Sequence, residues 1–327
     1  MTRRAIHQSS LRLCAALFLS LLACTRANPT QPPGVETEYR KSEHQVAMRD
    51  GVKLHTIVYT PRDTSRSYPI LLWRTPYSIG PYGPGMRSPL TTNPWLLEEK
   101  YIFVFQDVRG KYMSEGNFVD MRPVLDAHNE ETDTDETTDT WDTAEWLIRN
   151  LENNNGKIGL YGISYPGFYA ALAGINAHPS VVCISPQAPI SDWFLWDDMH
   201  HNGALTLPLV YNFFRSFGVD RPVPSPDRQP GLGRPEGDAY HFFLELGPLR
   251  NVNEQLLHGE IDFWNQVTEH PDYDKFWQSR STLSHFRDVT PAVLTVGGWF
   301  DGEDLSGALH TYAAIEDQSR DTENTLV

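Results

Sequence analysis

The succession of strand, turn and helix over residues 158–177 constrains the fold of this chain more than any other feature. Ile158-Gly159-Leu160-Tyr161 is the apolar run of a buried strand, and Phe168 to Ala177 has the composition of a packed helix. Between them stands Gly162-Ile163-Ser164-Tyr165-Pro166-Gly167. Small residues there let the backbone reverse sharply and lift one serine oxygen above the sheet, the context that a nucleophile elbow requires. The N–H of Tyr165, at the helix start, is then placed to donate to an oxyanion. The spacing departs from G-x-S-x-G, because Pro166 stands where the second glycine would and Gly167 follows one position later. An ordinary turn serine is the alternative reading of so short a stretch.

The flanking sequence extends the pattern. Gln45 to Met48 and Lys53 to Tyr59 flank Asp50-Gly51 and read as a hairpin. Pro69 to Trp73 and Tyr101 to Phe105 are continuous apolar runs, suited to strands buried on both faces of a mostly parallel sheet. Residues 129–145 are acidic and threonine-rich, which predicts a solvated loop. Asp142-Thr143-Ala144-Glu145 then predicts a capping box for a helix running toward Leu151, stopped by Asn153-Asn154-Asn155-Gly156. Val181 to Ile184 is the next strand, with Cys183 expected as an inert core thiol. This β-α-β-α-β order predicts an α/β domain with right-handed crossovers.

From about residue 200 to 287 the alternation stops, and aromatic segments of helical length take its place: Leu205–Phe217, Tyr240–Leu246, Phe263–Val267 and Phe276–Trp277. These read as an inserted helical cap whose aromatics serve packing. Strand character returns at Pro291 to Val296, a helix follows from about Leu305 to Ile315, and Asn324 to Val327 opens another strand. The expected organisation is therefore an α/β-hydrolase core over 41–199 and 288–327, interrupted by the cap over 200–287.

Residues 1–27 read as an export leader. Arg3 and Arg4 form its basic end, and Leu11 to Ala23 is apolar apart from Arg12, Cys14 and Ser20, too short a run to span a bilayer. Leu21-Leu22-Ala23-Cys24 has the form of a lipobox, in which Cys24 would carry a lipid anchor; cleavage after Ala27 is the alternative. The proline-bearing stretch 28–40 is expected to be a linker. This predicts an exported protein, periplasmic or membrane-anchored. A formal net charge of −15 disfavours nucleic acid as a partner. No metal-ligand spacing, dinucleotide loop or P-loop occurs, so no cofactor is expected.

In an elbow hydrolase the acid and the histidine follow the serine in that order. Asp301, in Val296-Gly297-Gly298-Trp299-Phe300-Asp301, is the candidate acid; its alternative reading is a helix N-cap. Within the sequence only His310 comes later, on a helix expected to face away from the serine.

Four stretches together, Arg74-Thr75-Pro76-Tyr77, Asp107-Val108-Arg109-Gly110, the turn at Ser164 and Gly298-Trp299-Phe300-Asp301, resemble the cocaine-esterase and X-Pro dipeptidyl-peptidase superfamily. Within it, Asp301 to Ala308 resembles the α-amino acid ester hydrolases. The resemblance implies Ser164 as nucleophile and Asp301 as triad acid. It implies an oxyanion hole of the Tyr77 hydroxyl and the Tyr165 amide, and a carboxylate cluster of Asp198, Glu303 and Asp304 that reads the ammonium of an α-amino ester or β-lactam substrate. It also implies that the histidine and a jelly-roll domain would follow Val327. Read from the residues alone, Glu303 and Asp304 are ordinary acids in the first turn of a helix. Two other enzyme readings are an X-Pro dipeptidyl-peptidase and an esterase for neutral acyl groups. The reading from another class is an inactive remnant without its base. The sequence leaves a homo-oligomer open.

Overall fold

A computed structural model describes residues 34–319 and 322–327 of the chain. The expected leader, with Cys24 and Ala27, lies outside the described residues. The elements run in the order α1 (Val35–Glu38), β1 (Tyr39–Ala47), β2 (Lys53–Pro61), β3 (Tyr68–Thr75), α2 (Pro94–Glu99), β4 (Ile102–Asp107), α3 (Glu136–Asn150), β5 (Asn154–Ile163), α4 (Tyr165–Leu172) and β6 (Val181–Gln187). A two-residue hairpin, β7 (His200–His201) and β8 (Ala204–Leu205), leads into helices α5 (Leu207–Phe217), α6 (Ala239–Leu246), α7 (Arg250–Val252), α8 (Asp262–Glu269) and α9 (Lys275–Gln278). Strand β9 (Ala292–Thr295), helix α10 (Leu305–Gln318) and strand β10 (Asn324–Leu326) complete the described fold.

Eight strands form one sheet in the order β1-β2-β4-β3-β5-β6-β9-β10. The first two pairings, β1 with β2 and β2 with β4, are antiparallel; every later one is parallel. The chain winds from β3 to β4 in one direction and then jumps back over β3 to build β5, β6, β9 and β10 in the other. Beyond the carboxyl ends of β3 and β5, this reversal opens a crevice, the place where open α/β sheets take ligands. The mostly parallel sheet with flanking helices is the α/β-hydrolase architecture expected from sequence. The hairpin at Asp50-Gly51 also forms as expected, pairing Ala47 with Lys53.

One face of the sheet packs Leu72, Val104 and Ile158 against Leu147 of α3 and Phe168 and Leu172 of α4. The same core runs on into Phe214, Trp264 and Trp277, so most aromatics of the 200–287 segment do serve packing. The other face gathers Ile57, Tyr59, Phe103 and Phe105.

The structure differs from the sequence expectations in three places. Residues 35–40, expected in the linker, form α1 and the start of β1, because Tyr39 buries its ring against Phe103 at 5.8 Å. The supposed solvated loop at 129–145 becomes helix from Glu136 on, and residues 135–140 are all buried. Its cap is Asp135, which accepts from the N–H groups of Thr137 and Thr138, while Asp142 instead holds Arg49. The helix starts early because its acids meet two buried cations. Arg74 lies 3.2 Å from Glu136, and Arg109 lies 2.6 Å from both Asp139 and Asp50. Removing one partner from such a pair costs about 3–5 kcal/mol, since the other charge is left alone out of water. Lastly, Cys183 is exposed rather than buried. It lies toward the β9–β10 side of the sheet, where Val182 and Leu294 are also exposed.

Candidate active site

Four parallel strands end at one rim, and each hands the chain to a candidate residue: β3 to Tyr77, β5 to Ser164, β6 to the loop bearing Asp198, and β9 to the loop bearing Asp301, Glu303 and Asp304. Ser164 sits at φ 62°, ψ −125°, a conformation held by its surroundings. Its N–H donates to Gln187 O at 2.9 Å, and its own carbonyl accepts from Phe168 N at 3.0 Å. The two glycines explain the altered spacing of the turn. A Cβ on Gly162 would lie 2.1 Å from Pro166 O, and one on Gly167 would lie 2.4 Å from Gln187 O. Thus Gly167 lets α4 press onto β6, and Pro166 at the first turn gives up an N–H the helix does not use. The Tyr165 N–H is left at the helix start, without an intrahelical acceptor. The Tyr165 ring belongs to the core: its hydroxyl accepts from Met121 N at 2.7 Å and lies 3.2 Å from Asp120.

Tyr77, Ser164, Tyr165, Asp198 and Glu303 line one cavity of about 80 Å³, closed by apolar side chains including Trp193 and Phe213. Asp304 is buried behind it. The Asp304 carboxyl lies beside that of Asp198 and near Ser164, and its Oδ1 is buried without a hydrogen-bond partner among the described residues. Burial, and then the negative charge of Asp198, pushes the Asp304 carboxyl far above the ordinary carboxylate range. Burial also raises Asp198, against the pull of the neighbouring Asp304 carboxyl and of the hydrogen bond from Trp193. Two adjacent carboxyls that cannot both ionise titrate as a pair. No Lys, Arg or His among the described residues forms an ion pair with Asp198, Glu303 or Asp304. The Tyr77 hydroxyl is likewise raised, by burial and then by Asp198 and Asp304, so it keeps its proton and can donate it.

Local contacts fix each group. Asp198 adopts φ 38°; its N–H donates to Glu303 O at 3.1 Å, Trp193 Nε1 donates to its Oδ2 at 2.9 Å, and Thr206 Oγ1 donates to its carbonyl at 2.6 Å. Tyr77 N donates to Thr75 Oγ1 at 3.1 Å. Asp107 pins the loop after Tyr77, accepting from Ile79 N, Tyr82 Oη and Met113 N.

Asp301 stands apart. Its carboxylate accepts from Glu303 N and Asp304 N in the turn before α10, whose N-cap is Asp304, and it does not line the Ser164 cavity. It lines a neighbouring one with Trp196 and His201, and Glu303 reaches both. Trp299 and Phe300 before it are 79% and 103% exposed, so the described residues do not pack this loop. His310 stacks on Trp196 at 4.9 Å and bonds Ser306 O, touching neither Ser164 nor Asp301.

One positioning residue escapes sequence reading. Asp197, fully buried, accepts from Ser191 N, Ser191 Oγ, Asp192 N and Gly307 N. It ties the Asp198 loop to the first turn of α10. Gly307 permits this contact, since a Cβ there would lie 1.8 Å from Pro189 O. In the Asp197-Asp198 pair one acid is thus structural and its neighbour faces the cavity; the sequence signal was only the doubled acid.

The family described as X-Pro dipeptidyl-peptidase (S15 family) matches residues 50–327. A cocaine esterase of Rhodococcus sp. (strain MB1 Bresler) is 29% identical over 292 residues, 85% of this chain and 46% of that protein. The crystal structure of an aminopeptidase from a marine sediment archaeon, Thaumarchaeota archaeon, superposes with a TM-score of 0.75 at 32% identity, covering 86% of this chain and 46% of that one. An α-amino acid ester hydrolase superposes with a TM-score of 0.76 at 33% identity, covering 88% and 47%. The chain thus spans about half the length of the relatives it matches.

Proposed function

Because the chain belongs to the X-Pro dipeptidyl-peptidase (S15) family, we propose that it carries the core of a serine hydrolase that cleaves esters and amides of α-amino acids through an acyl-enzyme. The observation that carries this reading is the Asp198–Asp304 pair: two carboxyls with no partner cation among the described residues, beside a serine held in an elbow. A substrate ammonium supplies the missing positive charge and sets the adjacent carbonyl over Ser164. A neutral-acyl esterase has no use for that pair.

In this scheme the Ser164 hydroxyl oxygen attacks the carbonyl carbon, and its proton passes to a histidine base oriented by Asp301. No histidine among the described residues is placed for that part. The tetrahedral oxyanion accepts from the Tyr165 N–H and the Tyr77 hydroxyl. The proton then goes to the leaving group, the acyl-enzyme remains, and water or an amine such as a β-lactam nucleus releases the acyl group. The proposal needs no cofactor. It keeps the leader reading of an exported protein.

The test is covalent labelling. A fluorophosphonate probe on the full-length protein is expected to modify Ser164 and to leave the Ser164→Ala protein unlabelled. Labelling that persists in the alanine variant contradicts the assignment.

A further inference from the structure

Beside the acidic cavity lies a larger one of about 540 Å³, and Tyr77 and Phe213 line both. Their electrostatics are opposite. The smaller cavity carries Asp198 and Glu303 and no cation. The larger carries Lys111, Arg221 and Arg228 and no carboxylate, in a chain with 42 acids against 27 bases. Asp220 and Asp227 neighbour Arg221 and Arg228 in sequence, but neither lines this cavity.

The cations are held differently. Lys111 is buried between the rings of Phe118 and Phe217, and its Nζ donates to Phe217 O at 2.8 Å, so it serves the wall. Arg221 lies over the Tyr112 ring at 4.4 Å, and its Nη2 donates to Ser225 O and Asp227 O. Its Nε is out of solvent and has no partner among the described residues. Arg228 is exposed and makes neither an ion pair nor a side-chain hydrogen bond with the described residues. The Arg221 guanidinium is thus pinned through Nη2 and its Nε is closed off, so Nη1, which makes no hydrogen bond with the described residues, is the nitrogen left to bind a carboxylate.

We infer that this second cavity is a leaving-group subsite in which Arg221 and Arg228 bind a carboxylate on the departing half of the substrate. The inference rests on the proposed α-amino acyl specificity. The preferred substrate is then a zwitterion, its ammonium at Asp198 and Asp304 and its carboxylate at Arg221 and Arg228, with the scissile carbonyl between them near Tyr77. Two chemistries present such a carboxylate: the C-terminus of a short peptide and the acid of a β-lactam nucleus.

Binding of blocked and unblocked ligands to the full-length Ser164→Ala protein tests this without turnover. The probes are phenylalanyl-alanine, its C-terminal amide and its N-acetyl derivative, with a phenylglycyl β-lactam and its methyl ester as the second arm. Amidation or esterification is expected to raise Kd about tenfold, the worth of one charge-assisted contact. That ratio should fall to about two in Arg228→Gln and to about one in the Arg221→Gln/Arg228→Gln double variant. Loss in the peptide arm alone assigns the subsite to peptide C-termini, and loss in the β-lactam arm alone to that nucleus. Equal Kd for acid and blocked acid in both arms, or a ratio unchanged by the double variant, overturns the inference. N-acetylation without loss instead overturns the ammonium reading, so the two failures are told apart.

Discussion

Glu136 and Asp139 at the start of α3 are as deeply buried as Asp304 beside the elbow, at 3%, 0% and 2% exposure, yet the two regions answer the cost of burial in opposite ways. At α3 each acid meets an arginine, Arg74 or Arg109, and the charges close on one another. Beside Ser164 the Asp304 and Asp198 carboxyls face each other with no cation among the described residues, and burial with the neighbouring charge raises the Asp304 carboxyl so that it keeps its proton. A buried acid with a protein cation is part of the frame. In the proposed reading, a buried acid pair without one is held ready for a cation that arrives from outside.

The largest expected effect separates the two regions by stability. Asp139→Asn leaves Arg109 and Arg74 short of a partner and is expected to destabilise the fold by about 3–5 kcal/mol in urea unfolding. Asp304→Asn removes one of two competing acids and should be neutral or stabilising by about 1 kcal/mol. Equal losses in the two variants would break the comparison.

The next effect falls where frame meets site. Tyr77→Phe removes the hydroxyl proposed as an oxyanion donor, and kcat is expected to drop about 10²-fold with KM little changed. An unchanged kcat returns Tyr77 to a packing role.

How far the sequence discloses these regions follows from the range of the interactions. The elbow is legible because Gly162, Ser164 and Gly167 act on their own neighbours and on the adjacent strand. The strands are legible because burial on both faces leaves an unbroken apolar run. The start of α3 is not: Asp135 to Thr140 has the composition of a solvated loop, and Arg74 and Arg109, 62 and 30 residues from their partners in the chain, turn it into buried helix. The separate roles of Asp197 and Asp198 are set by Gly307, 110 residues away in sequence. Asp301 is placed by sequence order and by the resemblance of its motif, and among the described residues its carboxylate accepts from Glu303 N and Asp304 N in the turn before α10.

Smaller effects sharpen the same contrast through pH. A carboxyl raised by folding stays protonated in the folded state after the unfolded chain has released its proton. Its stabilising contribution is whole below the unfolded pKa and drains away as pH rises toward the folded value. The stability of the wild type relative to Asp304→Asn is therefore expected to fall as pH climbs from about 4 to about 7. A difference independent of pH would mean that Asp304 is ionised like Asp139. Ligand binding runs the other way. Lowering the pH from about 7 to about 4.5 protonates Asp198, the carboxyl of the pair still ionised at neutral pH, and should weaken an α-amino ligand about tenfold while sparing its des-amino analogue.

The most direct measurement compares those two ligands at neutral pH on the wild type and on the Asp198→Asn/Asp304→Asn double variant, which keeps the shape and hydrogen-bonding capacity of the site. The account predicts that the wild type prefers the α-amino ligand by about tenfold or more, and that the double variant binds both alike because it loses only the α-amino ligand. If both ligands weaken by the same factor, the pair is structural and the ammonium reading is wrong.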